Sequence, residues 1–423
     1  MLNTMIGASI FGLPSLLAAH LGKRSFQAYL VAALGVGVIA ACLAEVSSQF
    51  RATGGPYLYA RAAFGRFAAI WVGWLLWLSR IAASAAVANL FISYLSQFFP
   101  GVALRSARGI VLILLIGFLA AVNYRGVTGG TLLNNFLTVT KLIPLLLLAG
   151  GGLVAMRLHP AIQVTPETIP TQASDWFEAI ILMCYAYAGF ESALIVSGEA
   201  RDPRRDAPMA LVIALVTATA LYMSVQYVVI HILPQPATTT TPAVDVAKHL
   251  VGPLGASLFT IAILVSIYGY LGANMLHTPR LTFAMGEQGD FPRFFAAVHP
   301  RFQSPHLSIL AFTLLLVVFS MAGSFRWNAI LAAASRLFVY ASIAAALPVL
   351  RRKHPSAAAF RLPWGRVFAA LALVFAALLV TRIHAAELTI ITATSLIAVI
   401  NWLSVRRKLE YPEVAAGDGV DRA

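Results

Sequence analysis

Charge is scarce in this sequence. Only 11% of its 423 residues are Asp, Glu, Lys or Arg, while 60% are hydrophobic and the mean hydropathy is +0.82. Soluble domains carry about 25% charged residues, so that class is excluded. Cysteine is nearly absent too. Cys42 and Cys184 lie alone in apolar stretches, lack metal-ligand spacing, and read as packing residues. Acidic side chains number 16 against 30 basic ones, a net charge of +14. That surplus invites a nucleic-acid partner, but the basic residues form short clusters at the ends of apolar runs, which is the signature of membrane topology. No nucleophile and base stand together and no metal cluster is evident, so the reading is not an enzyme, with no cofactor.

What is present in quantity is apolar sequence in runs of about 20 residues, enough to cross a bilayer. Such runs lie near 1–19, 27–49, 67–98, 109–124, 131–155, 175–197, 208–233, 254–283, 306–323, 327–350, 365–383 and 388–405. The expectation is therefore an all-α membrane protein of about twelve transmembrane helices. The third run is long enough to tilt or to extend past the bilayer. With the N-terminus inside, nineteen Lys and Arg fall in the inner loops and tail, against eight in the outer loops. Lys and Arg concentrate on the inner face, so both termini are expected in the cytoplasm of a multi-pass inner (plasma) membrane protein. Residues 406–423 form the expected cytoplasmic tail, basic and then acidic, and no cleavable leader is expected.

Two of the runs are interrupted where a continuous helix would be simplest. The first, MLNTMIGASIFGLPSLLAAHLG, holds Gly7, Ser9, Gly12 and Pro14 in its centre. The sixth holds Ala188-Gly189, followed by Glu191 and Ser192. A helix broken inside hydrocarbon leaves free N–H groups on one half and free C=O groups on the other, and something must satisfy them. Small residues also serve helix packing, but two such clusters five spans apart point to an inverted-repeat transporter with its substrate at the breaks. A zwitterionic amino acid suits that chemistry: its carboxylate meets the amides after the first break, and its ammonium meets the freed carbonyls.

At these residues the chain resembles the amino acid–polyamine–organocation (APC) permeases, which have the LeuT-like fold. Ile6-Gly7-Ala8-Ser9-Ile10-Phe11-Gly12 is similar to the glycine-rich break of their first helix. Ala44-Glu45 with Gly54-Gly55-Pro56-Tyr57 and Tyr59, Asn123-Tyr124-Arg125-Gly126, Lys141-Leu142-Ile143-Pro144 and Gly189-Phe190-Glu191 resemble further motifs in order. So do Glu199 to Pro208 and Gly289-Asp290-Phe291-Pro292. The resemblance covers nearly the whole chain. It implies a five-plus-five inverted repeat with discontinuous helices one and six: repeat one over 1–155, repeat two over 175–350, helices eleven and twelve over 365–405, in a single permease domain spanning 1–405. The family's first helix has about ten residues before its break. Here Met1 to Met5 precede Gly7, so an N-terminally truncated first helix is expected.

Ionisable groups inside spans cost several kcal/mol unless paired or employed. Lys141 matches a position where some proton-coupled members carry a lysine in place of a sodium ion, implying proton coupling, with sodium less favoured; the alternative is a permanently charged tether between carbonyls. In relatives the position matching Glu191 serves gating and proton sensitivity, and the alternative is a helix cap. Arg80 and Ser84 in span three, and Arg336 in span ten, fall at pocket-lining positions by the resemblance. There they would repel cationic substrates and leave neutral or acidic ones. Alternatively Arg80 pairs with Glu45 or Glu191, and Arg336 with backbone carbonyls, as scaffold.

The substrate-binding set is thus Met5, Gly7, Ala8, Ser9, Ile10, Arg80, Ser84, Tyr185, Ala188, Gly189, Asn274 and Arg336, with Lys141, Glu191 and Phe190 for proton coupling or gating. Tyr185 and Phe190 read as aromatic gates. The function implied is secondary active transport of an amino acid by alternating access, as a proton symporter, with an exchanger or a nontransporting sensor as rivals. The partners expected are a small-molecule substrate and the lipid bilayer, without nucleic acid.

Overall fold

The computed structural model describes residues 7–50, 55–126, 142–191, 203–355, 358 and 360–406, giving the backbone alone for Ser9 and 203–208. The described residues contain helices and turns and no strand. In hydrocarbon, helices satisfy every backbone donor and acceptor internally. The chain begins with a 3-10 turn, Ala8–Phe11, and continues through α1 (Leu13–Leu21), α2 (Ser25–Ser47), α3 (Gly55–Phe64), α4 (Arg66–Leu95) and α5 (Arg105–Tyr124). It proceeds through α6 (Leu142–Leu158), α7 (Ala173–Ala186), α8 (Pro203–Ile232), α9 (Pro242–Glu287) and α10 (His306–Ala322). The last three are α11 (Phe325–Lys353), α12 (Gly365–Val380) and α13 (Ala385–Val405).

Seven helical stretches among the described residues are long and apolar enough to cross a membrane, and α6, α10 and α12 are shorter apolar helices. The chain is a helical, multi-pass membrane protein. Two features differ from the hydropathy reading. A ten-residue helix, α3, sits between the second and third runs and is separated from α4 by Gly65 (φ 89°). The eighth run is preceded by helical sequence from Pro242, with a kink at Gly252 (φ 74°). Gly252 adopts a backbone that side-chain-bearing residues rarely reach, so the continuous helix of the ladder hides a real bend.

The core sits around α4, which is buried along almost its whole length and packs most extensively against α11. Ser79 Oγ on α4 donates to the carbonyl of Ala332 on α11 at 2.9 Å, fixing the rotation of the pair. Outer helices present bare apolar faces, including Leu114 and Phe118 of α5, Leu371 and Val374 of α12, and Leu396 and Ile400 of α13. Exposed patches of that kind suit lipid rather than water.

Candidate functional site

The site is built on two interruptions. After Gly7 the chain makes the 3-10 turn Ala8–Phe11, then passes Gly12 into α1, which has Pro14 at its second position. Proline at the start of a helix forfeits no hydrogen bond, so this sequence favours a new helix beginning here. Ile10 and Phe11 are buried, and Tyr94 Oη of α4 donates to the carbonyl of Phe11 at 2.8 Å. A Cβ on Gly12 would meet Leu90 and Phe325 at 2.8 Å, so glycine lets the turn approach α4 and α11. No side chain caps the N-terminus of α1.

The second interruption follows α7, whose helix ends at Ala186; residues 187–189 form a turn, and helix resumes at Phe190 and Glu191. Gly189 has φ 113°, a conformation open to glycine and strained for other residues. Glu191 folds back over this turn, where its Oε2 accepts from the Gly189 amide at 2.9 Å and from Tyr340 Oη at 3.1 Å. Its Oε1 lies 3.5 Å from Arg336 Nε on α11. Glu191 is thus cap and counter-ion together, 4% exposed, while Arg336 is 8% exposed.

Arg80 on α4 lies within electrostatic reach of Glu191, Arg336 and Tyr270. Among the described residues it has no carboxylate within ion-pair distance. Ser84, one helical turn further on, is fully buried, and its hydroxyl has no described partner. Arg336 thus pairs with Glu191 in the middle of the bundle, with Arg80 in electrostatic reach of both. The turn Ala8–Phe11 lies against α4, α7 and α9, so the two interruptions share one neighbourhood. Tyr185 is buried beside it, its hydroxyl donating to Ala83 O at 3.3 Å and its ring 6.3 Å from that of Phe325. Phe190 packs on Tyr340, ring centroids 5.2 Å apart.

Gly7, Ala8, Ile10, Ala188 and Gly189 therefore stand at the interruptions, with Arg80, Ser84, Tyr185, Phe190, Glu191 and Arg336 around them. Ser9 is placed in the first turn by its backbone alone. Met5 and Lys141 lie outside the described residues. Asn274 is half-buried, with its amide turned back to its own helix at Tyr270 O, 3.0 Å. One scaffold pairing is corrected: Glu45 is held by Arg351 rather than Arg80, while Arg336 lies beside Glu191. Sequence reasoning missed Tyr340 and Tyr270, although each sits four residues from a named group, Arg336 or Asn274, and so on the same helix face.

A lipid-faced helical bundle with a buried ion pair at a helix interruption is the architecture of a multi-pass membrane protein, and its class follows from its relatives. The sequence model of the amino acid permease family matches residues 1–403, and the chain belongs to that family, within the APC superfamily. Among its relatives is a methylthioribose transporter of Bacillus subtilis, 29% identical over 388 residues, covering 86% of this chain and 82% of the relative. A serine/threonine exchanger of the same organism is 28% identical, covering 75% and 74%. Its branched-chain amino acid permease is 26% identical, covering 90% and 85%.

Proposed function

We propose that this chain is a secondary active amino-acid permease that works by alternating access. The observation that carries the reading is the meeting of the first-helix turn, the Gly189 turn and the Glu191–Arg336 pair beside Arg80. The substrate carboxylate takes amides of the first-helix interruption, and its ammonium takes carbonyls at the two turns. Twelve helices in a five-plus-five inverted repeat form one domain, set in the plasma membrane with both termini in the cytoplasm.

The charge balance supports a neutral or acidic side chain. Arg80 and Arg336 against Glu191 leave one positive charge among the described groups. A zwitterion adds none, and an acidic side chain neutralises the remainder. Unit charges of like sign about 4 Å apart at an effective dielectric near 20 repel by about 4 kcal/mol, so lysine, arginine and polyamines are disfavoured. Lys141 is the proposed proton carrier, making the coupling ion a proton.

A second reading, obligate exchange, draws on the relative named as a serine/threonine exchanger. Proteoliposomes separate the two. Symport gives uptake into amino-acid-free vesicles that rises with an inward proton gradient and is lost in Lys141→Ala. Uptake that requires internal amino acid and ignores the gradient overturns proton symport.

A further inference from the structure

Away from the helix interruptions, a cleft of about 540 Å³ opens where the end of α5, the last turns of α9 and the start of α10 converge. Arg125, Arg280, Arg301 and Gln303 contribute its polar lining and Met275 and Phe283 part of its apolar lining, and no carboxylate lines it among the described residues. Arg280 Nη1 reaches the carbonyl of Leu276 at 2.7 Å, and the Arg301 guanidinium lies 5.5 Å from the Phe302 ring centroid. None of the three arginines has an ion-pair partner among the described residues.

The loop that brings Arg301 to this wall is firmly held. Ser304 Oγ donates to Tyr124 O at the end of α5, 2.7 Å away, and His299 Nδ1 accepts from the amides of Arg301 and Phe302, both at 3.2 Å. Tyr124 packs its ring against those of His299 and Phe302. Gln303 is held at φ 51°, and Trp364 is the other described non-glycine residue with positive φ. Strain kept in place by surrounding bonds is a mark of sites where geometry matters. Phe118 of α5 and Leu314 of α10, on two of the helices that border the cleft, are 57% and 65% exposed, as suits side chains facing lipid.

We propose that the cleft binds the headgroup of an anionic phospholipid. The three guanidiniums hold the phosphate, and the acyl chains run down the apolar faces of α5 and α10. Guanidinium matches phosphate oxygens in a two-bond geometry, and basic pockets between membrane helices at headgroup level favour anionic lipids. A phosphatidylcholine headgroup would bring a cation to a wall that has no carboxylate among the described residues to receive it, so the preference is for net negative lipid. None of the residues lining it belongs to the substrate-binding set, and the proposal depends only on the chain's spanning a membrane.

Native mass spectrometry of the full chain in detergent tests this with phosphatidylglycerol, acyl-matched phosphatidylcholine and inorganic phosphate. Phosphatidylglycerol is expected to stay bound while phosphatidylcholine dissociates, and excess phosphate is expected not to displace it. Apparent affinity falls about fivefold for each arginine removed in R301Q, R125Q/R301Q and R125Q/R280Q/R301Q, from about 1 kcal/mol per basic residue near the surface, and R326Q leaves it unchanged. Equal retention of both lipids, displacement by phosphate alone, or unchanged phosphatidylglycerol binding in the arginine variants overturns the proposal. Arg301 is exposed, so R301Q by itself decides the matter if the triple variant does not fold.

Discussion

Helix α11 ends in an arginine–carboxylate pair at both extremities, and the two pairs are built to different standards. At one end Arg351 Nε and Nη2 each donate to a Glu45 oxygen at 2.6 Å, and the Leu362 amide adds a third bond to that carboxylate at 2.8 Å. Glu45 is completely buried. At the other end Arg326, its side chain 46% exposed, reaches Glu178, which His20 approaches at 3.5 Å. Near the Arg351 end a second buried carboxylate, Asp290, accepts from Arg61 at 3.2 Å, from Arg66 at 2.6 Å and from Tyr57, while its backbone carbonyl accepts from Asn401. A desolvated, multiply bonded pair holds elements in register, whereas an exposed pair exchanges with water at little loss. The Arg351 end is therefore the fastened end of the bundle, and the Arg326 end is free to rearrange.

Removing a fastening should show this most strongly. Arg351→Ala strands the Glu45 carboxylate in the interior and is expected to cost about 3–5 kcal/mol, read as a large fall in melting temperature in detergent. A melting curve matching wild type would contradict the assignment. Asp290→Asn keeps the shape but weakens three donors' bonds to a charge, an effect on the order of 2–3 kcal/mol, and Tyr57→Phe removes one of them for less. Arg326→Gln should cost no more than about 1 kcal/mol, and a larger loss would erase the distinction between the two ends.

The smallest effect concerns pH. Burial, with Asp290 beside it, raises the Tyr57 hydroxyl well above the ordinary tyrosine value. A raised value means that its contribution is complete below the unfolded pKa, about 10, and is lost only as pH climbs through the folded one. Thermal stability between pH 7 and 9 should therefore show no step that disappears in Tyr57→Phe.

The runs of apolar residues made the membrane helices legible, and the interruptions could be read from Gly7, Gly12, Pro14 and Gly189, because glycine and proline act through local backbone. Side-chain partners were much less legible. Glu45 and Arg351 are 306 residues apart, and no local period links them. Arg336 and Glu191, 145 positions apart by number (336 − 191 = 145), are joined by packing of α11 on the segment after α7. Asp290 was visible as part of a motif, but its partners come from α3, α4 and α13 and appear only when those elements meet. The helix before the Gly252 kink carries too little apolar sequence to announce itself as a span.

The excess positive charge proposed at the helix interruptions is tested most directly by uptake of a panel of labelled amino acids by proteoliposomes, compared between wild type and Arg80→Gln. Wild type is predicted to take up neutral or acidic amino acids and to exclude lysine, arginine and polyamines, with the variant losing preference for acidic over neutral substrates by about tenfold, the equivalent of roughly 1.4 kcal/mol. Uptake confined to cationic substrates, or a panel unchanged by the substitution, would contradict it.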